Sequence, residues 1–316
     1  MSKTLGILAK PGLLLDAYIQ AFEQSVIKDS EIELLTASQD QGDTVMVKGR
    51  PKGFTFIESI DPNQLDLLLV LESHWVVDAY TEVLNRLDCQ IIGLASMLKP
   101  LSPVLFDGGV NGEKVMGVQE PEVSAIASAL AGRALEALDC KVLYSADWLG
   151  QMGIETLAKQ TARLLNAQSI EEDIFPHQLP FNLYPLADAA GQDQMVVLTE
   201  AFSQGFDCDE ISVDAVQLPV FHGQTLLVNA IFSESVDLDA FEPVWQAAGM
   251  HFQKNDRAYS QLRLSEIDEN AIIARTKLHA FDENRLDFWL TFDRYQWLVN
   301  QSLMPLSEIL LNPALS

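Results

Sequence analysis

Asp66-Leu67-Leu68-Leu69-Val70-Leu71 is the stretch on which the fold turns. It is a continuous apolar run and the clearest strand of the first half. A strand apolar on both sides of its pleat needs cover on both faces, which is the habit of parallel sheets. A helical pattern follows from about Val76 to Leu87, then another strand at Gln90 to Leu94. Upstream, Leu5 to Ala9 reads as a buried strand, Leu14 to Phe22 as the helix after it and Ile32 to Thr36 as a further strand. This alternation predicts parallel βαβ units. Lys99 to Gly117, rich in Pro and Gly, reads as a connection. Glu122 to Leu138 reads as a helix, with Glu and Ser near its start where the helix dipole favours them.

The second half has a different texture. Lys141 to Ser145 predicts a strand, and Ile154 to Asn166 a helix. A loop with Pro176, Pro180 and Pro185 precedes a helix around Met195 to Gln204. Ile211 to Val216 and Thr225 to Phe232 are strand-like, Leu262 to Leu264 and Ile272 to Thr276 are weaker strands, and Leu286 to Phe292 is a strong one. Tyr295 to Leu311 reads as a last helix, kinked or restarted at Pro305. Runs of strands with helices on one face predict an α+β domain.

The chain has 316 residues, enough for about two domains at roughly 150 residues each. Its 48% hydrophobic content supports a large core. A net charge of −25 excludes affinity built on Lys/Arg contacts to phosphate, so neither nucleic acid nor an anionic membrane surface is an expected partner. Cys89, Cys140 and Cys208 form no regular spacing, which predicts a reducing compartment without a disulfide framework. The segment Met1-Ser2-Lys3-Thr4-Leu5 has no signal-peptide character, and no apolar run approaches the ~20 residues of a membrane span. Cytoplasm is the expected setting.

Few local motifs carry chemistry. A dinucleotide fingerprint needs glycine where the first strand turns into its helix. Here Leu8-Ala9-Lys10-Pro11-Gly12-Leu13-Leu14-Leu15 keeps only Gly12, with Ala9 and Leu15 at the other two positions. That leaves a vestigial phosphate loop or an ordinary turn. His74 and Asp78 are four apart but have no third ligand nearby, so no metal site is expected. Glu171-Glu172-Asp173 reads as a solvated loop. Acidic neighbours raise the pKa of the cysteine thiols and disfavour the nucleophilic thiolate. G-x-S-x-G, H-E-x-x-H and G-x-x-x-x-G-K-[ST] are all absent.

Two segments are distinctive at their spacing: Pro180-Phe181-Asn182-Leu183-Tyr184-Pro185-Leu186, and Val216-Gln217-Leu218-Pro219-Val220-Phe221-His222-Gly223-Gln224-Thr225-Leu226-Leu227-Val228-Asn229. With Leu157 to Asn166 and Phe288-Trp289, they resemble the aspartate-semialdehyde dehydrogenase family, and within it the non-catalytic Usg-type relatives. The resemblance implies an N-terminal Rossmann-type parallel sheet that binds NADP in the family and a C-terminal α+β dimerisation domain. It divides the chain into residues 1–120, 121–292 and a C-terminal helix, 293–316, returning to the first domain. It implies a homodimer, paired through apolar strands at Leu226-Leu227-Val228 and Phe288-Trp289-Leu290.

The resemblance also implies a site, and here the sequence departs from it. The family's nucleophilic cysteine falls at Pro121, its glutamine at Ser145, its carboxylate-binding arginine at Gln217 and its acid/base histidine at Gln224. Proline offers no nucleophile, and glutamine neither titrates near neutrality nor carries charge. His222 lies two residues from Gln224 and is a poor substitute. Glu72-Ser73-His74-Trp75 replaces a small-residue loop of the cofactor site, and Trp297 and Leu298 stand where the family has small residues near the nicotinamide. The expectation is a catalytically inactive, dimeric scaffold or interaction protein that needs no cofactor. A divergent aldehyde oxidoreductase and a small-molecule sensor using the vestigial cleft are the other readings.

Overall fold

The run at Leu67–Val70 lies inside a seven-stranded parallel sheet in the computed structural model, which describes residues 3–38, 42–106, 109, 112–170, 174–186, 189–267, 269–279 and 282–311. The chain divides into two compact units, Met1–Glu120 with Leu298–Ser316, and Pro121–Trp297. The acidic trio at 171–173 lies outside the described residues.

The first unit contains β1 (Thr4–Leu8), α1 (Leu13–Gln24), β2 (Glu31–Thr36), β3 (Thr44–Val47), β4 (Arg50–Gly53), β5 (Thr55–Phe56), β6 (Leu67–Val70), α2 (His74–Ala79), α3 (Thr81–Arg86), β7 (Gln90–Leu94), α4 (Ala95–Leu98), β8 (Val104–Leu105) and β9 (Val115–Val118). Its sheet runs β5-β2-β1-β6-β7-β9-β8. Every pairing in it is parallel. Side chains alternate between two cores. Leu67 and Leu69 join a cluster with α1, while Leu68 and Val70 join one with Val77 and Leu84. That double burial is why β6 reads as an unbroken apolar run. The α1-side cluster also takes Leu298, Val299, Leu306, Ile309 and Leu310 of the last helix, and Tyr18 donates to Ser302 Oγ at 2.8 Å.

The second unit contains α5 (Pro121–Leu130), β10 (Leu135–Tyr144), α6 (Gly150–Leu165), β11 (Tyr184–Pro185), α7 (Ala189–Gly205), β12 (Glu210–Gln217), β13 (Gln224–Phe232), α8 (Glu242–Ala247), β14 (Met250–Phe252), β15 (Ala271–His279), β16 (Asp282–Phe292) and the start of α9 (Arg294–Leu311). Its mixed sheet runs β11-β12-β10-β13-β16-β15-β14. One face, with Val142, Leu226, Val228, Phe288 and Leu290, packs on α5, α7 and α8 through Ile126, Leu198, Phe202 and Trp245. Among the described residues no helix is long and apolar enough to cross a membrane.

Several sequence expectations need correction. The helix expected from Glu122 to Leu138 ends at Leu130, because Ala131 and Gly132 take left-handed φ values of 59° and 65° and end it as a C-terminal cap does. The strand expected from Lys141 therefore starts at Leu135, so Cys140 sits within β10 and not ahead of it. The single helix expected at 76–87 is two, separated at Tyr80. The Lys99–Gly117 connection contributes β8 and β9 to the sheet. Leu262 to Leu264 lie in a 3-10 helix, Gln261–Glu266. Pro305 is inside a continuous α9. Finally, the apolar triplets of β13 and β16 do not share one exposed face. Strand alternation sends Leu226, Val228, Phe288 and Leu290 into the core and leaves only Leu227 and Trp289, a register pair, on the other side.

Candidate functional site

In the first unit, β1 lies between β2 and β6, so the chain's route through the sheet reverses there. The crevice outside the carboxyl ends of strands at such a reversal is where open α/β sheets bind ligands. Gly12 is the N-cap residue of α1, with φ 154°, and no side chain caps the helix. Leu15 is fully enclosed in the α1-side core. Just beyond β6, Glu72 is only 4% exposed, and Lys10 Nζ approaches its Oε2 at 3.5 Å. Burial pushes the Glu72 carboxyl above its ordinary range, and Lys10 and the Ser73 backbone N–H oppose that. A pyrophosphate does not fit beside this carboxylate: two anions would share a partly dry site. Across the same edge, beyond β9, buried Glu120 accepts from Ser96 Oγ.

In the second unit Pro121, Ser145, Gln217 and Gln224 lie around Tyr144. Pro121 opens α5, where a missing N–H costs nothing. The next residue, Glu122, is completely buried, and three donors converge on its Oε1: Gln224 Nε2 at 2.9 Å, Tyr144 OH at 3.1 Å and Arg294 Nε at 3.1 Å. Burial alone would raise this carboxyl. Arg294 and the Gln224 bond outweigh burial and hold it below the usual range, so Glu122 is an anion. Gln194 Nε2 in turn donates to Tyr144 OH at 2.9 Å. Gln217 is also buried. It donates to the carbonyls of Tyr144 and Leu218, both at 3.1 Å, and its Oε1 accepts from Trp148 Nε1 at 2.6 Å.

Ser145 donates to Asp147 Oδ1, and the other carboxylate oxygen of Asp147 lies 3.2 Å from His222 Nδ1. The three residue types are those of a hydrolase triad, but their order is not. A nucleophile is activated when the histidine stands between it and the acid. Here the acid stands in the middle, so Ser145 has no base. Asp147 itself is pushed up, chiefly by burial, with Ser145 and His222 opposing. Asp293 Oδ1 accepts from the backbone N–H groups of Tyr295 and Gln296 and so caps α9. Trp297 is buried and donates to Ser124 Oγ at 2.9 Å. Burial pushes the Cys89 thiol up to about 12 and raises Cys140 and Cys208 too. Among the described residues no three potential metal ligands cluster.

Residues 148–295 match the family described as semialdehyde dehydrogenase, dimerisation domain. The chain is 25% identical to a USG-1 protein homolog of Azotobacter vinelandii, covering 97% of each. It is 21% identical to an aspartate-semialdehyde dehydrogenase of Vibrio mimicus, covering 92% of this chain and 98% of the relative. The fold is that of a solved probable aspartate-semialdehyde dehydrogenase from Pseudomonas aeruginosa, with a TM-score of 0.83 at 21% identity, covering 98% and 99% of the two chains.

Within the second unit the sequence named Ser145, Gln217 and Gln224, and all three are buried and hydrogen-bonded. It missed Glu122, Tyr144, Trp148, Asp147 and Arg294, the groups that bond to them or bridge between them. Arg294 is 172 residues from Glu122, and no local spacing announces such a pair. Glu122 did carry a signal, as the acid in the first turn of α5. The opposite face of the second unit's sheet carries charges of both signs, with Asp139, Lys141, Leu227, Arg275, Asp287 and Trp289 around a depression of ≈ 290 Å³.

Proposed function

We propose that the chain is a catalytically inactive homologue of aspartate-semialdehyde dehydrogenase that acts as a dimeric scaffold or interaction protein. One observation carries this reading: the convergence of Gln224, Tyr144 and Arg294 on buried Glu122. A catalytic group must be able to change its protonation or bonding during turnover. Here the residues at the positions of the family's chemistry are committed to fixed internal bonds, and Pro121 has no nucleophilic atom. Losing one member of a catalytic unit already costs several powers of ten in rate. The absence of a cofactor requirement follows the same logic, since Glu72 opposes a pyrophosphate and Leu15 fills the helix–strand contact.

The test is direct. Purified protein is incubated with aspartate semialdehyde, NADP and inorganic phosphate, and NADPH is followed by absorbance. No formation above a blank without protein is expected; reproducible, protein-dependent formation overturns the reading. Calorimetry with NADP is the companion measurement. A dissociation constant near or below about 10 µM, roughly −7 kcal/mol, contradicts the cofactor half.

The homodimer is proposed through the open face of the second unit's sheet. Lys141 bridges Asp139 and Asp214 at 2.7 and 2.8 Å, and Arg285 faces Asp287 at 3.4 Å. A face with both signs interspersed can set opposite charges against each other across a two-fold axis, which a face of one sign cannot. That matters in a chain of net charge −25, where most other surfaces repel their copies.

A further inference from the structure

The reversal point of the first unit holds a feature that neither catalysis nor dimerisation uses. Lys10 follows β1 and Glu72 follows β6, so the two stand beyond the carboxyl ends of neighbouring strands, where open α/β sheets bind ligands. Glu72 is more than nine-tenths buried, yet its Oε1 has no hydrogen-bond partner. A buried acceptor left unsatisfied costs about 1–3 kcal/mol, more when charged. The oxygen therefore calls for a donor. The carboxylate rules out an anion.

Two donors already reach this carboxylate, the Ser73 backbone N–H and Lys10 Nζ, and the charged one indicates the chemistry of a third. Lys10 offers a primary ammonium to Oε2, but at 3.5 Å and from a side chain 70% exposed. Such an ion pair is weak and readily displaced. A free ammonium has three N–H donors and can serve both carboxylate oxygens. Glu120, buried beyond β9, keeps the same edge of the sheet acidic, and the chain's net charge of −25 concentrates cations around it.

We propose that this crevice binds a small organic cation through a primary ammonium group, with Glu72 as its acceptor and Lys10 as the intramolecular group that it displaces. The site lies in the unit that does not carry the dimerisation domain, and it stands whether or not the chain is catalytically inactive. The probe is n-butylammonium on the full chain at about 150 mM salt, where non-specific attraction is screened. Tetramethylammonium, which has no N–H, and inorganic phosphate are the controls. Binding is read by thermal shift and by NMR titration.

Saturable binding of n-butylammonium alone is expected. Glu72→Gln should weaken it by about tenfold or more, the worth of a charge-assisted bond. Lys10→Ala should strengthen it about two- to fivefold, since one exposed ion pair no longer competes. Circular dichroism establishes that both variants fold, and the gain in Lys10→Ala cannot arise from damage. Equal binding in Glu72→Gln, equal binding of tetramethylammonium, preference for phosphate, or no saturable binding in either the parent or Lys10→Ala overturns the proposal.

Discussion

At the scale of single residues, Glu122 is where the candidate site is most exposed to test. Its carboxylate is charged and fully buried, and Arg294 is the cation that compensates it. Breaking a buried pair from one side leaves an uncompensated charge and costs about 3–5 kcal/mol. Arg294→Met is therefore expected to lower stability by about 3 kcal/mol in urea melts, with Glu122→Gln close behind. The double variant should lose less than the two combined, since neither charge is then stranded. The pH dependence follows from the lowered carboxyl. A group with a depressed folded pKa contributes stability above its unfolded value, about 4.3, and loses it as pH falls through the folded value. Melts from neutral pH down to about 3 should show this acid-side loss in the parent and a shallower one in Glu122→Gln. An identical slope in both contradicts the assignment. Pro121, Gln217 and Gln224 could be named from the sequence as candidate positions. The network around them could not, because Glu122, Tyr144, Gln224 and Arg294 come together only through the folded sheet.

At the scale of elements, the turn into α6 is the tightest fit. A Cβ built on Gly153 would stand 1.9 Å from the Ala146 carbonyl oxygen, a backbone atom that cannot step aside. On an open helix Gly→Ala adds about 1 kcal/mol of stability. Here Gly153→Ala is expected to cost about 2 kcal/mol or more, read as a clear fall in melting temperature. A neutral or stabilising result means that the Ala146 turn is looser than described. Elements with strong periodicity were legible: β6, β7, α1, α6, β13 and β16 all stand where the hydrophobic pattern put them. Those defined by one or two residues were not. The β3–β4 hairpin turns through Lys48 and Gly49 at φ 51° and 72°, and a Lys-Gly pair is a faint signal. Strands β5 and β8 have two residues each, too few for alternation to register. The end of α5 was masked because alanines and leucines continue helical spacing past Gly132.

At the scale of the whole molecule, charge and the open sheet oppose one another. With 45 acids against 20 bases, two copies repel at long range. The Debye length shortens from about 30 Å at 0.01 M salt to about 8 Å at 0.15 M. The dimer fraction measured by light scattering should therefore rise with salt up to moderate ionic strength. Trp289 is the largest apolar group on that face, with its ring 5.8 Å from Tyr259 in an edge-on contact. Trp289→Asp adds a charge there and should give a one-chain mass under conditions where the parent is dimeric, with an unchanged circular dichroism spectrum. A one-chain mass for the parent at micromolar concentration removes the dimer from the proposal. The division into a parallel and a mixed sheet was legible from the texture of the two halves. The chemistry of the open face was not, because reading three apolar neighbours as one patch ignores that a strand shows each face only every second residue.

Helix α9 carries a consequence for how the protein is made. The core on the α1 side of the first sheet is completed by Leu298, Val299, Leu306, Ile309 and Leu310, and Tyr18 finds its partner in Ser302. A ribosome synthesising this chain must extend it past Leu310 before that core can close, and emergence of that turn from the exit tunnel comes later still. Throughout translation the nascent first unit holds an apolar groove with no helix to fill it. The second unit's helices and strands, by contrast, are all available once Trp297 has emerged. The order of birth and the order of completion are therefore reversed: the half that is made first is finished last, and in the interval it is the natural client of a chaperone.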